Sequence, residues 1–304
     1  MKVVKIIGGL GNQMFQYAFF LFMKKEGINA KIDITDFDNY TLHNGFELKR
    51  VFGINIRNDI ISQKELNFRK IKDNKPFFGI RKIIDRFFFN STNYLIQKTH
   101  WVEPNYSAFY NEVIDSGRIY MEGYWQNEKY LIDQRNTLIK LFEWKTISKK
   151  NVELIAQLEV ENSVSVHIRR FDQPKSFKEL FYRFRLKLMW RIASKKYYLR
   201  AIDRVRQRVS KPVFYVFTDN ISWVKQNFFF EKNVNFVDWN RGEDSNQDML
   251  LMSKCKHNII SMSSFSWWGA WLNQNPNKIV IAPRKWAVRF KKDMGIIPSN
   301  WTRI

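Results

Sequence analysis

From residue 163 to the C-terminus, short apolar runs alternate with segments of helical pattern. The runs cover residues 164–168, 213–217, 234–237, 258–262 and 279–281. Helices are expected between them, over about 195–209, 221–228, 246–256 and 265–273. A repeat of this kind buries its strands on both faces only as a parallel sheet covered by helices. In such sheets ligands bind beyond the carboxyl ends of the strands. The residues at or just after those ends are Arg169, Arg170 and Asp172, then Thr218, Asp219 and Asn220, then Asp238, then Ser263 and Ser264. Polar groups therefore collect where the fold class places a ligand.

Two of these clusters have a definite chemistry. In "VSVHIRR" side chains alternate across the strand, so His167 and Arg169 share one face and Arg170 takes the other. Adjacent guanidinium groups repel unless an anion lies near them, and a guanidinium grips phosphate in bidentate fashion. The alternative is that Asp172 and another acid neutralise the pair. In "SSFSWWGAWL" (residues 263–272) the three tryptophans read as core, whereas Ser263 and Ser264 stand at a strand-to-helix junction. Helix-start amides lack intrahelical partners, and together with two hydroxyls they make a cradle for an anion.

The N-terminus repeats the theme. An apolar run over 3–7 leads into Gly8-Gly9-Leu10-Gly11-Asn12 and then a helix from about Gln13 to Lys25, with Met14, Tyr17, Ala18 and Leu21 on one stripe. The glycine spacing differs from the dinucleotide fingerprint, and a simple tight turn also explains it.

Charge sets the partner class. The chain of 304 residues has 51 basic and 29 acidic residues, a net charge of +22, which points to an anionic partner. Between Lys175 and Lys211 there are 13 Lys and Arg against Glu179 and Asp203, an excess of 11 that is half of the total. Aromatic and aliphatic residues interleave with these cations. Peripheral contact with an anionic membrane is the favoured reading. A helix docked on its own domain with a basic outer face fits the same pattern. Nucleic acid is disfavoured because no helix-turn-helix, zinc or RNP signature accompanies the charge. One cysteine, Cys255, and no leader-like or membrane-spanning segment suggest a cytoplasmic protein, peripheral on the membrane at most.

The blocks "GGLGNQMFQYA", "HNGFEL", "GYWQNEKYL", "VSVHIRRFD", "FYVFTDN", "DMLLMSKCKHNIISMSSFSWWGAWLN" and "KIVIAP" occur in that order between residues 8 and 283. Together they resemble the inverting α-1,2-fucosyltransferases, bacterial relatives of the blood-group H enzymes. The resemblance implies an α/β, GT-B-like fold with two Rossmann-like domains facing a central cleft. Domain limits are expected at 1–155 (acceptor side) and 156–285 (GDP-sugar side), with a tail over 286–304 returning to the first domain. It further implies transfer of L-fucose from GDP-fucose to the 2-hydroxyl of a galactose-terminated acceptor glycan, lipid-linked or free, in surface polysaccharide synthesis. No cofactor and no metal are implied.

By matching position, Arg169 would hold the β-phosphate and, with Asn12, carry the catalysis. His167 and Asp248 would lie near the guanine. Ser264 and the Phe265 backbone would complete the diphosphate cradle beside Ser263, with Arg170 and Asp172 adjacent. Gly9 and Asn12 would reach the sugar-phosphate from the other domain. Phe171 stands where the family usually has Gly, and "ISMSS" stands for the more usual "ANSS". The one DxD, Asp36-Phe37-Asp38, lies far in sequence from the phosphate-binding strands and reads as a loop. The proton acceptor stays open among Asp33, Asp36, His43, Glu47 and Asp172. A transferase for another GDP-sugar, or a basic nucleic-acid-binding protein, are the competing functions.

Overall fold

The computed structural model describes residues 1–40, 43–65, 94–96, 120–170, 193–228, 233–286 and 295–304. The chain divides into two compact units, Met1–Leu141 and Phe142–Ile304. The division thus falls before the helix over 149–160, whose buried Asn151, Leu154 and Leu158 belong to the second unit.

In the first unit, β1 (Lys2–Lys5) leads into α1 (Leu10–Lys25), then β2 (Ala30–Asp33), the short α2 (Leu48–Phe52), β3 (Tyr94–Ile96), β4 (Tyr120–Glu122) and α3 (Arg135–Leu141). The sheet order is β2-β1-β4-β3, with every pairing parallel. Helix α1 begins at Leu10, earlier than the sequence pattern indicates, because Gly9 takes an extended conformation and caps it. Gly11 and Asn12 therefore lie in the first turn. The helix is buried well beyond one stripe, Phe15, Phe19, Phe20 and Met23 included. Two fully buried amides hold its start. Gln13 donates to the Gly8 and Gly45 carbonyls (both 2.8 Å) and accepts from the Glu47 N–H at 2.9 Å. Gln16 accepts from the Ile7 N–H and donates to the Gly123 carbonyl, both at 2.9 Å. A buried amide without partners costs several kcal/mol, on the order of 2–7, so these glutamines fix the glycine turn against its neighbours.

The second unit runs α4 (Lys149–Val160), β5 (Ser163–Ile168), α5 (Lys195–Arg206), β6 (Val213–Thr218), α6 (Ile221–Asn227), β7 (Val234–Val237), α7 (Asn246–Lys254), β8 (His257–Ile259), α8 (Ser264–Leu272), β9 (Val280–Ala282) and β10 (Thr302–Arg303). The six strands pair in parallel in the order β10-β9-β8-β5-β6-β7. The last strand extends this sheet beside β9, so the end of the expected tail pairs within the second unit. Every residue of β5 is buried, as a strand covered on both faces requires. Val164, Val166 and Ile168 pack with Tyr198, Ala201 and Ile202 of α5 and Val224 of α6. The opposite face of β5 meets the β8–α8 connection.

Trp267, Trp268 and Trp271 form a cluster with ring centroids 5.1–5.9 Å apart, and Trp267 donates its indole N–H to the Ile296 carbonyl at 2.6 Å. These tryptophans are core, as their heavy apolar content demands.

Candidate functional site

Both sheets reverse strand order at one place. In the second unit the chain adds β6 and β7 on one side of β5, then crosses to place β8 on the other. Open parallel sheets bind ligands at such a switch point, beyond the carboxyl ends. The residues flanking it are His167 and Arg169 from β5 and Ser261, Ser263 and Ser264 after β8.

Register explains how they meet. Val166 pairs with Ile259, which brings His167 level with the start of the serine loop. His167 Nδ1 lies 2.8 Å from Ser261 Oγ, and its ring is 6.0 Å from that of Phe265. Burial first, then the Arg169 charge, pushes the His167 pKa down to about 3. The imidazole is thus neutral, a hydrogen-bonding group and not a proton store. Tyr197 of α5 holds the loop from behind, its hydroxyl donating to the Ile260 and Ile281 carbonyls at 2.7 and 3.1 Å.

Ile168 pairs with Thr218, so Asp219 arrives beside the two arginines. Its Oδ2 lies 3.4 Å from Arg169 Nε, and its Oδ1 accepts the Arg170 N–H at 2.8 Å. Asp219 is therefore the counter-ion of Arg169, and meets Arg170 through its backbone N–H; Asp172 lies outside the described residues. Arg170 turns to the other face, as strand alternation predicts, and stacks 3.6 Å over Trp223 of α6. Arg169 keeps 39% of its side chain exposed. One arginine is committed to packing, and the other is held by its carboxylate with part of its side chain exposed.

At the start of α8, Ser263 is the cap residue, and its hydroxyl accepts the Phe265 N–H at a long 3.3 Å. Ser266 is turned inward and bonds within the loop, its hydroxyl accepting from the Ser261 N–H at 3.3 Å. Among the described residues the half-buried Ser264 hydroxyl makes no hydrogen bond. Ser264 and the positive end of the α8 dipole are what remain for an anion.

Asp248 lies in the first turn of α7, 9% exposed, and accepts a 2.8 Å bond from Asn240 Nδ2. Burial pushes its pKa up to about 7 against the opposing effects of Asn240 and Arg241. Asp219 stands among the strand-end residues to which the sequence points, without a role given to it there, and Asn240 is the group absent from the sequence reading. Asp219 had a signal, its strand-end position, whereas Asn240 had none.

In the first unit the switch lies between β1 and β4, the two strands followed by the blocks "GGLGNQ" and "GYWQNE". Gly8 has φ +82°, and a Cβ there would stand 2.9 Å from Asn12 Nδ2. A Cβ at Gly9 would stand 3.3 Å from the His43 ring. Asn12 Oδ1 accepts from the buried Gln126 at 2.9 Å, which turns the Asn12 amide nitrogen away from that bond. The candidate acids are already engaged. Asp33 accepts from the Thr35 N–H and hydroxyl at 2.9 and 2.7 Å and from the Tyr120 hydroxyl. Asp36 pairs with Lys5 at 2.8 Å, so the DxD motif is anchored by a cation. Glu47 pairs with Arg50 at 2.8 Å. Among the described residues no group of three or more His, Cys, Asp or Glu is placed to hold a metal ion.

Comparison with known proteins gives the family. Residues 1–304 match glycosyl transferase family 11. The chain belongs to this family. An alpha-1,2-colitosyltransferase of Escherichia coli is 34% identical over 99% of this chain and 98% of its own length. The Escherichia coli O-antigen biosynthesis glycosyltransferase WbnK is 30% identical over 92% of both chains. A shorter match, 30% identical over 36% of this chain and 28% of the relative, is to the galactoside 2-alpha-L-fucosyltransferase Sec1 of Mus musculus.

Proposed function

We propose that this glycosyltransferase moves L-fucose from GDP-β-L-fucose to the 2-hydroxyl of a galactose residue, with inversion and without a metal. The observation that carries the reading is Arg169, aimed by Asp219 and still exposed, at the switch point it shares with Ser264 and the start of α8. In the transfer the acceptor oxygen bonds to the anomeric carbon and gives up its proton to a base or to solvent, as the bond to the β-phosphate oxygen breaks. Negative charge develops on the departing diphosphate. Fixed cations and amide dipoles stabilise such charge without reorganising, and Arg169, Ser264 and the Phe265 end of α8 supply them. His167 and Asp248 take the base, with Gly9 and Asn12 acting on the sugar-phosphate. The neutral His167 adds no charge to compete with Arg169 for the phosphate.

The name of the 34% identical relative favours a second reading of the sugar, in which the donor is GDP-colitose. Colitose is fucose without its 3-hydroxyl. A pocket that bonds this hydroxyl rejects the deoxy sugar strongly, whereas an apolar one separates the two by only ~10²-fold. Transfer from GDP-fucose and GDP-colitose to lactose in EDTA tests donor, linkage and metal independence together. Fucosylation at the galactose 2-hydroxyl, abolished in Arg169→Ala, is the expected result. Activity with GDP-colitose alone moves the sugar assignment, and strict dependence on a divalent metal overturns the mechanism.

The basic helix bears on where the enzyme works. The exposed face of α5 and the turn after it carry Lys195, Lys196, Arg200, Arg204, Arg206, Arg208 and Lys211 against Asp203 alone, with Leu199 41% exposed among them. Helix α4 is balanced by contrast, with Lys149 and Lys150 against Glu153 and Glu159. The expected segment before residue 193 lies outside the described residues, and no helix among the described residues is long and apolar enough to cross a membrane. Each cation near an anionic bilayer contributes ~1 kcal/mol, so this face is assigned to peripheral contact at the site of glycan assembly. Cosedimentation with phosphatidylglycerol vesicles, lost with phosphatidylcholine or after Arg200→Glu with Arg204→Glu, is expected. Equal binding to duplex RNA of the same charge would redirect the assignment.

A further inference from the structure

Around Asp248 the hydrogen bonds form a chain whose direction is dictated by groups able only to donate. The Trp239 indole N–H has no acceptor capacity, and it lies 2.8 Å from Asn151 Oδ1. Asn151 must therefore present its amide nitrogen elsewhere, and Nδ2 reaches Asn240 Oδ1 at 2.8 Å and Gln247 Oε1 at 2.7 Å. A second lock agrees. The Ser148 backbone N–H, also a pure donor, lies 2.9 Å from Gln247 Oε1, and Gln247 Nε2 faces the Asp244 carboxylate at 3.1 Å. With its oxygen turned to Asn151, Asn240 has only Nδ2 for Asp248, which it meets at 2.8 Å. Asp248 Oδ1 is thus an obligatory acceptor. Asn151 is fully buried and Asn240 is 3% exposed, so bulk water does not scramble the sequence.

We infer that Trp239, Asn151 and Asn240 are positioning residues that orient Asp248, so that its Oδ2 faces the ligand as an acceptor for a pair of adjacent N–H donors on the nucleotide base. The inference rests on the reading that Asp248 contacts the base of the donor. Guanine carries such a pair, its ring N–H beside an exocyclic amine, whereas adenine presents an acceptor beside its amine. Among the described residues the Asn240 bond is to Oδ1, and Asp248 Oδ2 has no hydrogen-bond partner. The relay also holds α7 to α4, so the base contact is set from a helix that itself supplies no ligand group.

Calorimetric titration of the full chain with GDP and ADP tests this, with folding checked by circular dichroism. Asp248→Asn should erase most of the GDP-over-ADP preference. Asn240→Ala should weaken GDP binding about tenfold in the wild-type background, a typical penalty for losing a bond to a charged group, and by less than about twofold when Asp248 is already Asn. Trp239→Phe keeps an aromatic ring facing Lys150, whose Nζ lies 3.8 Å over the Trp239 ring, and removes the pyrrole ring together with its N–H. It should cost about threefold in the same direction, which covers the case of an Asn240 variant that does not fold. Equal losses in the two backgrounds would mean that the relay is structural only and would overturn the inference. An unchanged GDP preference in Asp248→Asn, with binding still dependent on Arg169, would overturn it and leave the proposed donor standing. Failure of the wild-type chain to bind GDP would remove both.

Discussion

Asp248→Asn should make the protein less sensitive to rising pH, and the structure gives the size of the effect. Burial pushes the Asp248 pKa up from 3.8 to about 7. The folded state therefore holds this proton more tightly than the unfolded chain. Its stabilising contribution is complete below about pH 4, declines from there to about pH 7, and is gone above it. At pH 5 the folded carboxyl is protonated while the unfolded one has ionised, a separation of about one pKa unit or roughly 1.5 kcal/mol. At pH 8 both are ionised, and the folded state bears the full three-unit difference, roughly 4 kcal/mol. Between these conditions the wild-type chain should lose about 2.5 kcal/mol through this group alone. In the Asn variant the oxygen that accepts from Asn240 survives and the ionisation does not. Urea denaturation of both proteins at pH 5, 6, 7 and 8 isolates the group, because every other titration cancels in the difference. The Asn variant should gain on wild type steadily as pH rises. Parallel stability curves would refute the reasoning, since they would require Asp248 to be solvated or ion-paired in the folded protein.

Three further outcomes follow from buried contacts. Gln13→Leu strands the Gly8 and Gly45 carbonyls and the Glu47 N–H, and should cost about 3 kcal/mol or more in chemical denaturation, at 1–3 kcal/mol per orphaned group. Gly8→Ala imposes a side chain at φ +82° and drives a Cβ to 2.9 Å from Asn12. It should lower Tm modestly, at about 1–2 kcal/mol, and lower transfer rate more than GDP affinity, because the Asn12 amide is displaced. Gly269→Ala places a Cβ 2.9 Å from Met252 Cβ at the contact of α8 with α7. It should destabilise by about 1–3 kcal/mol as an overpacked core site, and the loss should be partly recovered in Met252→Ala, which thermal melts of the single and double variants would show.

The second unit was legible because its evidence is periodic. Apolar runs of strand length, separated by helices, admit one sheet type, and the sheet type places Arg169, Asp219 and Ser264 at a common edge before any contact is known. Element ends were less legible. The run over 258–262 reads as one strand, yet β8 stops at Ile259 because Ser261 turns to meet His167 and Ser266. That choice lies in hydrogen bonds and not in hydropathy. The domain division at Leu141 was equally hidden, since it depends on which core receives α4 and not on any change of composition along the chain.

The legibility of the site divides along the same line. Groups that meet a ligand at strand ends show themselves by being polar where a run stops. Groups that orient them do not. Asn151 sits in the first turn of α4 and Asn240 in a connection, each indistinguishable in sequence from a surface asparagine. Only burial together with donor–acceptor direction separates them, and direction is a property of the assembled set. A single residue cannot encode it: the Trp239 indole and the Ser148 N–H, both obligatory donors, together fix which way Asn151 and, through it, Asn240 face. Such a set is sensitive in a way that strand-end residues are not. Replacing the half-buried Trp239 by Phe trades the indole for a smaller ring and removes one of the two donors, leaving Asn151, and through it Asn240, directed by the Ser148–Gln247 contact alone.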